Sequence, residues 1–201
     1  LVGETLLGPG YEGSSELLYN IQKEAGKEIT CNYLLKLLER ETTKEFVDQV
    51  ENLLSTQEKA EDRLYNAVDI LQAVKNKTIN YTTYQPKLNP KGKWKALGDL
   101  SGNKVYKQFA DALTYEMSEM LYECNLSNKK TEEIMADIER KVITKLQAEK
   151  HTSAEKVQAD AMLDDLAKDK MVIAEELRGG NYPKSYLKQY EEIKQALEKG
   201  N

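Results

Sequence analysis

Apolar residues recur along most of this chain at alternating intervals of four and three, the spacing that places them on one face of an α-helix. The clearest series is Phe46, Val50, Leu53, Gln57, Ala60, Leu64, Ala67, Leu71 and Val74. A seam of that period predicts near-parallel helix packing in a bundle or coiled coil. The rhythm returns in Tyr106, Ala110, Leu113, Met117, Met120 and Cys124, and continues less cleanly through Met135, Ile138 and Val142. Ala159, Leu163, Leu166, Lys170, Ile173 and Leu177 form a further seam. Between Leu17 and Leu38 apolar residues are dense, with Gly26 the weak point. No stretch alternates with period two for long enough to make a strand, so the expected fold is all-α.

Residues 1–13 hold four glycines and Pro9 and are expected to form an irregular arm, with a helix starting after Ser14 or Ser15. Thr42 to Glu45 (TTKE) and Thr152 to Glu155 (TSAE) have capping-box form, in which a threonine hydroxyl and a glutamate three residues on satisfy each other's orphan amides. A break is expected within Asn125 to Glu133, and a stop at Gly179-Gly180. Asn181, Tyr182 and Pro183 then restart the chain as a short helix carrying Tyr186, Tyr190, Ile193 and Leu197. The expectation is one domain over 14–201: an elongated antiparallel bundle of about three long helical runs with breaks, a short C-terminal helix and a long loop over 77–102.

Composition narrows the function classes. The net charge is −5 with both signs interspersed, whereas a dedicated nucleic-acid binder needs a basic field to displace counterions. No apolar run approaches about eighteen residues, so any membrane attachment is expected through an anchor outside this chain. The first residue is Leu1, not methionine, as in a processed chain that has lost a signal peptide or an anchor. Twelve tyrosines stand against two phenylalanines, an excess that suits half-buried seams and binding surfaces.

Catalytic patterns are missing from the sequence. The one histidine, His151, has Ala148 three residues before it, so the Glu-x-x-His motif of metal-binding bundles is absent. His151 lies in a polar stretch and is expected to be a solvated residue at a helix junction. Asp164-Asp165 and Glu175-Glu176 are adjacent in sequence and diverge around their helix. No P-loop, GxGxxG or GxSxG occurs. Neither enzymatic activity, a metal site nor a cofactor is expected.

Three sequons, at Asn76, Asn80 and Asn125, and a single pair of cysteines point to a secreted or cell-surface protein. A disulfide between Cys31 and Cys124 is expected on that reading, two buried free thiols being the alternative. The loop carries the best recognition candidates, Tyr81, Tyr84, Lys91, Lys93, Trp94 and Lys95, because aromatic residues among cations suit a protein-binding surface. The same aromatics would serve equally to plug the open end of the bundle.

Heptad-bearing helices, cysteines in helical context, sequons clustered at one end and a long loop together resemble the helical-bundle surface glycoproteins of African trypanosomes, the invariant surface glycoproteins and related serum-protein receptors. The resemblance is one of architecture. It implies a cell-surface receptor that captures a host serum protein, such as a complement component or an immunoglobulin, without chemistry. The competing expectation is an intracellular coiled-coil scaffold or adaptor.

Overall fold

A computed structural model describes residues 2–82, 104–126 and 131–179, together with positions 192, 195, 196 and 199. Among them the fold is all-α, with six helices: α1 Val2–Glu41, α2 Lys44–Leu54, α3 Ala60–Lys75, α4 Lys104–Leu126, α5 Thr131–Ala148 and α6 Ser153–Gly179. Most of the expected C-terminal helix and most of the 77–102 loop lie outside the described residues.

The central helix is α1, which packs against α2, α3, α4 and α6. Its buried residues from Ile21 onward, including Ala25, Ile29, Cys31, Tyr33, Leu34, Leu35, Leu37 and Leu38, occupy more than one face. That is what a helix enclosed on several sides requires. Cross-helix pairs set the directions. Arg63 pairs with Glu28 and Lys75 with Glu41, so α3 runs parallel to α1. Thr114 bonds Thr30 while Ser118 lies against Gly26, so α4 runs antiparallel to it. Gln158 and Asp165 meet Asn76 and Lys75 level with the end of α1, while Asp169 further along takes Tyr33 and Arg40 further back, so α6 runs antiparallel to α1 as well. The α4–α5 and α5–α6 neighbours are consecutive antiparallel pairs.

The Phe46–Val74 seam does not run through one helix. It is cut at Ser55–Lys59, where the Ser55 and Thr56 hydroxyls donate to Asn52 O (2.6 Å) and Leu53 O (2.7 Å). Arg63 Nη1 takes Gln57 O at 2.5 Å. These side chains occupy carbonyls that a continuing helix would use. The break lets α2 double back along α1 and α3 return parallel to it, and Phe46, Val50, Leu64, Ala67, Leu71 and Val74 are buried within the chain's own core. The N-terminal arm is also corrected. Helix α1 begins at Val2 and includes the glycines and Pro9 expected to be irregular. Once the packed part of a helix exists, added residues contribute backbone hydrogen bonds without a new nucleation cost, Pro9, which has no N–H to give Thr5 O, being the exception.

Local capping is close to the sequence expectation. Thr152 N donates to Glu155 Oε1 at 2.8 Å and Glu155 N to Thr152 Oγ1 at 3.2 Å, a complete reciprocal box ahead of α6. At α2 the cap shifts by one residue: Thr43 Oγ1, not Thr42, accepts from Phe46 N at 3.1 Å, while Thr42 turns back to Leu38 O.

The expected Cys31–Cys124 disulfide is not formed; Cys31 is a free, buried thiol. The α1–α4 register explains why. Opposed pairs 26/118 and 30/114 place residue 124 level with about residue 20, so Cys31 is offset by roughly eleven residues, or about 16 Å of helix. A disulfide needs Cα atoms within about 7 Å.

Candidate functional site

Three helices leave a groove where α1, α3 and the middle of α4 meet. Its walls are Tyr19, Lys23 and Lys27 of α1, Glu61, Leu64 and Tyr65 of α3, and Asp111, Thr114, Tyr115, Ser118 and Glu119 of α4, around a volume of about 150 Å³. Gly26 of α1 lies against Thr114 and Ser118, two of these wall residues. A Cβ there would stand 2.2 Å from Ser118 Oγ and 2.9 Å from Thr114 O, so only glycine lets α1 and α4 approach this closely. Ser118 Oγ donates to Thr114 O at 2.7 Å, which keeps its hydroxyl on its own helix.

Each tyrosine of the groove is braced by a lysine. Lys23 Nζ lies 5.2 Å from the Tyr19 ring centroid, Lys107 Nζ 5.3 Å from Tyr65, and Lys145 Nζ 3.7 Å from Tyr115. Lys145 comes from α5 and is itself held at 2.8 Å by Glu116, a carboxylate otherwise buried under α5. Tyr65 is fixed at its other end by donating to Asp111 Oδ1 at 2.6 Å. Burial, followed by that hydrogen bond, pushes the Tyr65 phenol up, so it stays a neutral donor. Tyr19 and Tyr115 remain 44% and 50% exposed, two of the large apolar side chains that the described surface presents to solvent. Rings already restrained in position lose less freedom when a partner covers them.

The loop begins at the opposite end of α3, about 16 Å from Tyr65 along the helix. α3 ends in a Schellman turn: Thr78 N donates to Ala73 O (2.9 Å) and Lys77 N to Val74 O (3.1 Å), with Lys77 left-handed at φ 59°. Asn76, the C-cap, donates from Nδ2 to Gln72 Oε1 at 3.1 Å, and its Oδ1 accepts from Tyr106 and Gln158, each at 3.3 Å. Four residues on, Asn80 is exposed and Oδ1 accepts both Thr82 N (3.0 Å) and Thr82 Oγ1 (2.6 Å). Between them Tyr81 packs its ring edge-on against Phe46 at 6.1 Å.

Of the residues singled out from the sequence, Tyr81 lies half-buried against the core. Tyr84, Lys91, Lys93, Trp94 and Lys95 lie outside the described residues, and Asn125 lies in the last turn of α4. His151 is not simply solvated. Its Nε2 lies 2.8 Å from Leu146 O, so a proton there caps the end of α5. Nearby, Lys156, Ala159, Asp160 and Leu163 line a second cavity of about 330 Å³. Among the described residues no three His, Cys, Asp or Glu side chains group as metal ligands, and no helix is long and apolar enough to cross a membrane.

The groove tyrosines were not marked by any motif. The signals were the tyrosine excess and the Tyr19–Lys23 spacing of one helical turn; the Tyr65–Lys107 and Tyr115–Lys145 pairs exist only once the helices pack. In class, this is an all-α bundle with a tyrosine-lined groove. No family model, curated protein or solved structure matches the chain.

Proposed function

We propose that this chain is a non-enzymatic binding protein of receptor type, extracellular or at the cell surface, that captures a protein ligand in the groove between α1, α3 and α4. The observation that supports it is the set of lysine-braced tyrosines, Tyr19, Tyr65 and Tyr115, around a small cleft. At about 150 Å³ the cleft is smaller than typical small-molecule sites of about 300–1,000 Å³. It suits one inserted side chain, with the half-exposed rings carrying the surrounding contact, and tyrosine is a usual hot-spot residue. In line with the architectural resemblance, the ligand would be a host serum protein such as a complement component or an immunoglobulin.

The test is surface plasmon resonance of the immobilised chain against purified serum proteins, with Tyr19→Ala and Tyr115→Ala variants of unchanged helical circular dichroism. Each substitution is expected to weaken binding roughly 10- to 30-fold, the effect of a hot-spot residue worth about 1.4–2 kcal/mol. Absence of any serum ligand, or equal binding by the double variant, would refute the proposal.

One observation favours the second reading, an intracellular coiled-coil scaffold: Cys31 is a free buried thiol, as reducing compartments maintain. Against that reading, the α2–α3 seam is buried within the chain itself and leaves no row there for a partner helix. Intact mass from the native source before and after deglycosylation separates the two.

A further inference from the structure

The two sequons at the end of α3 differ in geometry, and we propose that Asn80 is an N-glycan acceptor while Asn76 is a structural residue that the fold requires unmodified. The assignment rests on the extracellular reading above.

At Asn80 the side chain is exposed and the hydroxyl of its own sequon threonine, Thr82, reaches back to Oδ1 at 2.6 Å while Thr82 N does so at 3.0 Å. The amide is thus presented on a tight turn with its carbonyl polarised by two donors. Tyr81, packed against Phe46, anchors the middle of the sequon to the core and holds the flanking Asn80 and Thr82 outward. A glycan on Asn80 would extend into solvent without displacing that ring.

Asn76 sits in a different setting. The sequon threonine, Thr78, gives its hydroxyl to Ala73 O at 3.1 Å, not to Asn76. The intervening Lys77 is in the left-handed conformation of the Schellman turn. The Asn76 side chain ties three helices together, through Gln72 on α3, Tyr106 on α4 and Gln158 on α6. Burial pushes the Tyr106 phenol up to about 12, so it remains a hydrogen-bond donor to Asn76 throughout the physiological range. A sugar on Nδ2 would lie where α4 and α6 approach the end of α3.

The modification is a group transfer. Asn80 Nδ2 attacks the anomeric carbon of an oligosaccharide carried on a lipid pyrophosphate. The N–C bond forms as the C–O bond to the pyrophosphate breaks; the lipid pyrophosphate leaves with the electron pair, and the amide proton passes to a base of the transferase. Transfer precedes or accompanies folding, so the fold acts as a filter: a chain modified at Asn76 cannot close α3 against α4 and α6.

The experiment fuses the full chain to a heterologous secretion signal in a eukaryotic host, with Thr82→Ala and Thr78→Ala variants that each remove one sequon but leave both asparagines. Glycans are mapped by peptide mass after enzymatic release, which leaves aspartate at each occupied site. The expected result is occupancy at Asn80 in the wild type and in Thr78→Ala, loss of it in Thr82→Ala, and no occupancy at Asn76 in secreted, folded protein. Folded protein carrying a glycan at Asn76, or lacking one at Asn80, overturns the assignment. If the fusion is modified at Asn80 but the native-source protein has no glycan, the acceptor assignment stands and the extracellular reading falls.

Discussion

Replacing Asp169 with alanine tests how the bundle holds α1 and α6 together. Asp169 is 4% exposed, yet its carboxylate accepts from Tyr33 OH at 2.8 Å and from both terminal nitrogens of Arg40 at 2.6 and 2.8 Å. Truncation leaves the Tyr33 hydroxyl buried without this acceptor, at a cost of about 1–3 kcal/mol. It also removes a bidentate charged pair. Breaking a fully buried pair costs about 3–5 kcal/mol, but the Arg40 side chain is 50% exposed and regains water, so the lower end applies. The expected loss is about 3 kcal/mol, read as a lower urea midpoint with unchanged slope by circular dichroism. Burial pushes the Asp169 carboxyl up, but the hydrogen bonds from Arg40 and Tyr33 outweigh it and hold the group below the usual aspartate range. A depressed carboxyl contributes stability that is complete above its unfolded value and is lost as pH falls through the folded one. Wild type and variant should therefore converge in acid and differ fully at neutral pH. A loss below about 1 kcal/mol at pH 7 would refute the reasoning. So would an equal loss in a Tyr33→Phe/Arg40→Met background, since that would show no coupling.

Gly26→Ala should destabilise by about 1–2 kcal/mol in the same assay, because overpacking against Thr114 O outweighs the helix-propensity gain of about 1 kcal/mol; a more stable variant would show that α1 and α4 separate freely. Cys31, whose thiol burial and the nearby Glu28 push up to about 12, should resist alkylation at pH 8 in folded Cys124→Ser protein and react once urea unfolds it. Rapid labelling of the folded form would contradict the packing of α1. Lys77→Gly should stabilise by about 1 kcal/mol by removing a side chain from a left-handed position, and an unchanged thermal midpoint would contradict the Schellman geometry.

Helix type and the α6 capping box were legible because each depends on residues within a few positions of one another. The exact inner stripe of α6 was not. The sequence favours Leu163 and Lys170, but the buried line is Ala159, Met162, Leu166, Asp169 and Ile173, rotated by one position. That rotation puts Asp169 against Tyr33 and Arg40, and Lys170 against Glu139, partners with no local signature. Similarly, the Phe46–Val74 period concealed a chain reversal, because α2 and α3 each keep the period on their own side of it. The groove was hidden for the same reason: Lys107 and Lys145 reach their tyrosines from other helices.

The pairing of Tyr33 and Arg40 with Asp169 also has a consequence for synthesis. The acceptor is encoded 136 and 129 residues downstream of its donors. At about 5–20 residues per second, a ribosome delivers it roughly 6 to 30 seconds after α1 has been made. During that interval the nascent chain can assemble α1 with α2 and α3 but has no counter-charge for Arg40. A chain interrupted before α6 would carry this unfinished end, which gives a quality-control system a chemical means of telling a truncated product from a complete one.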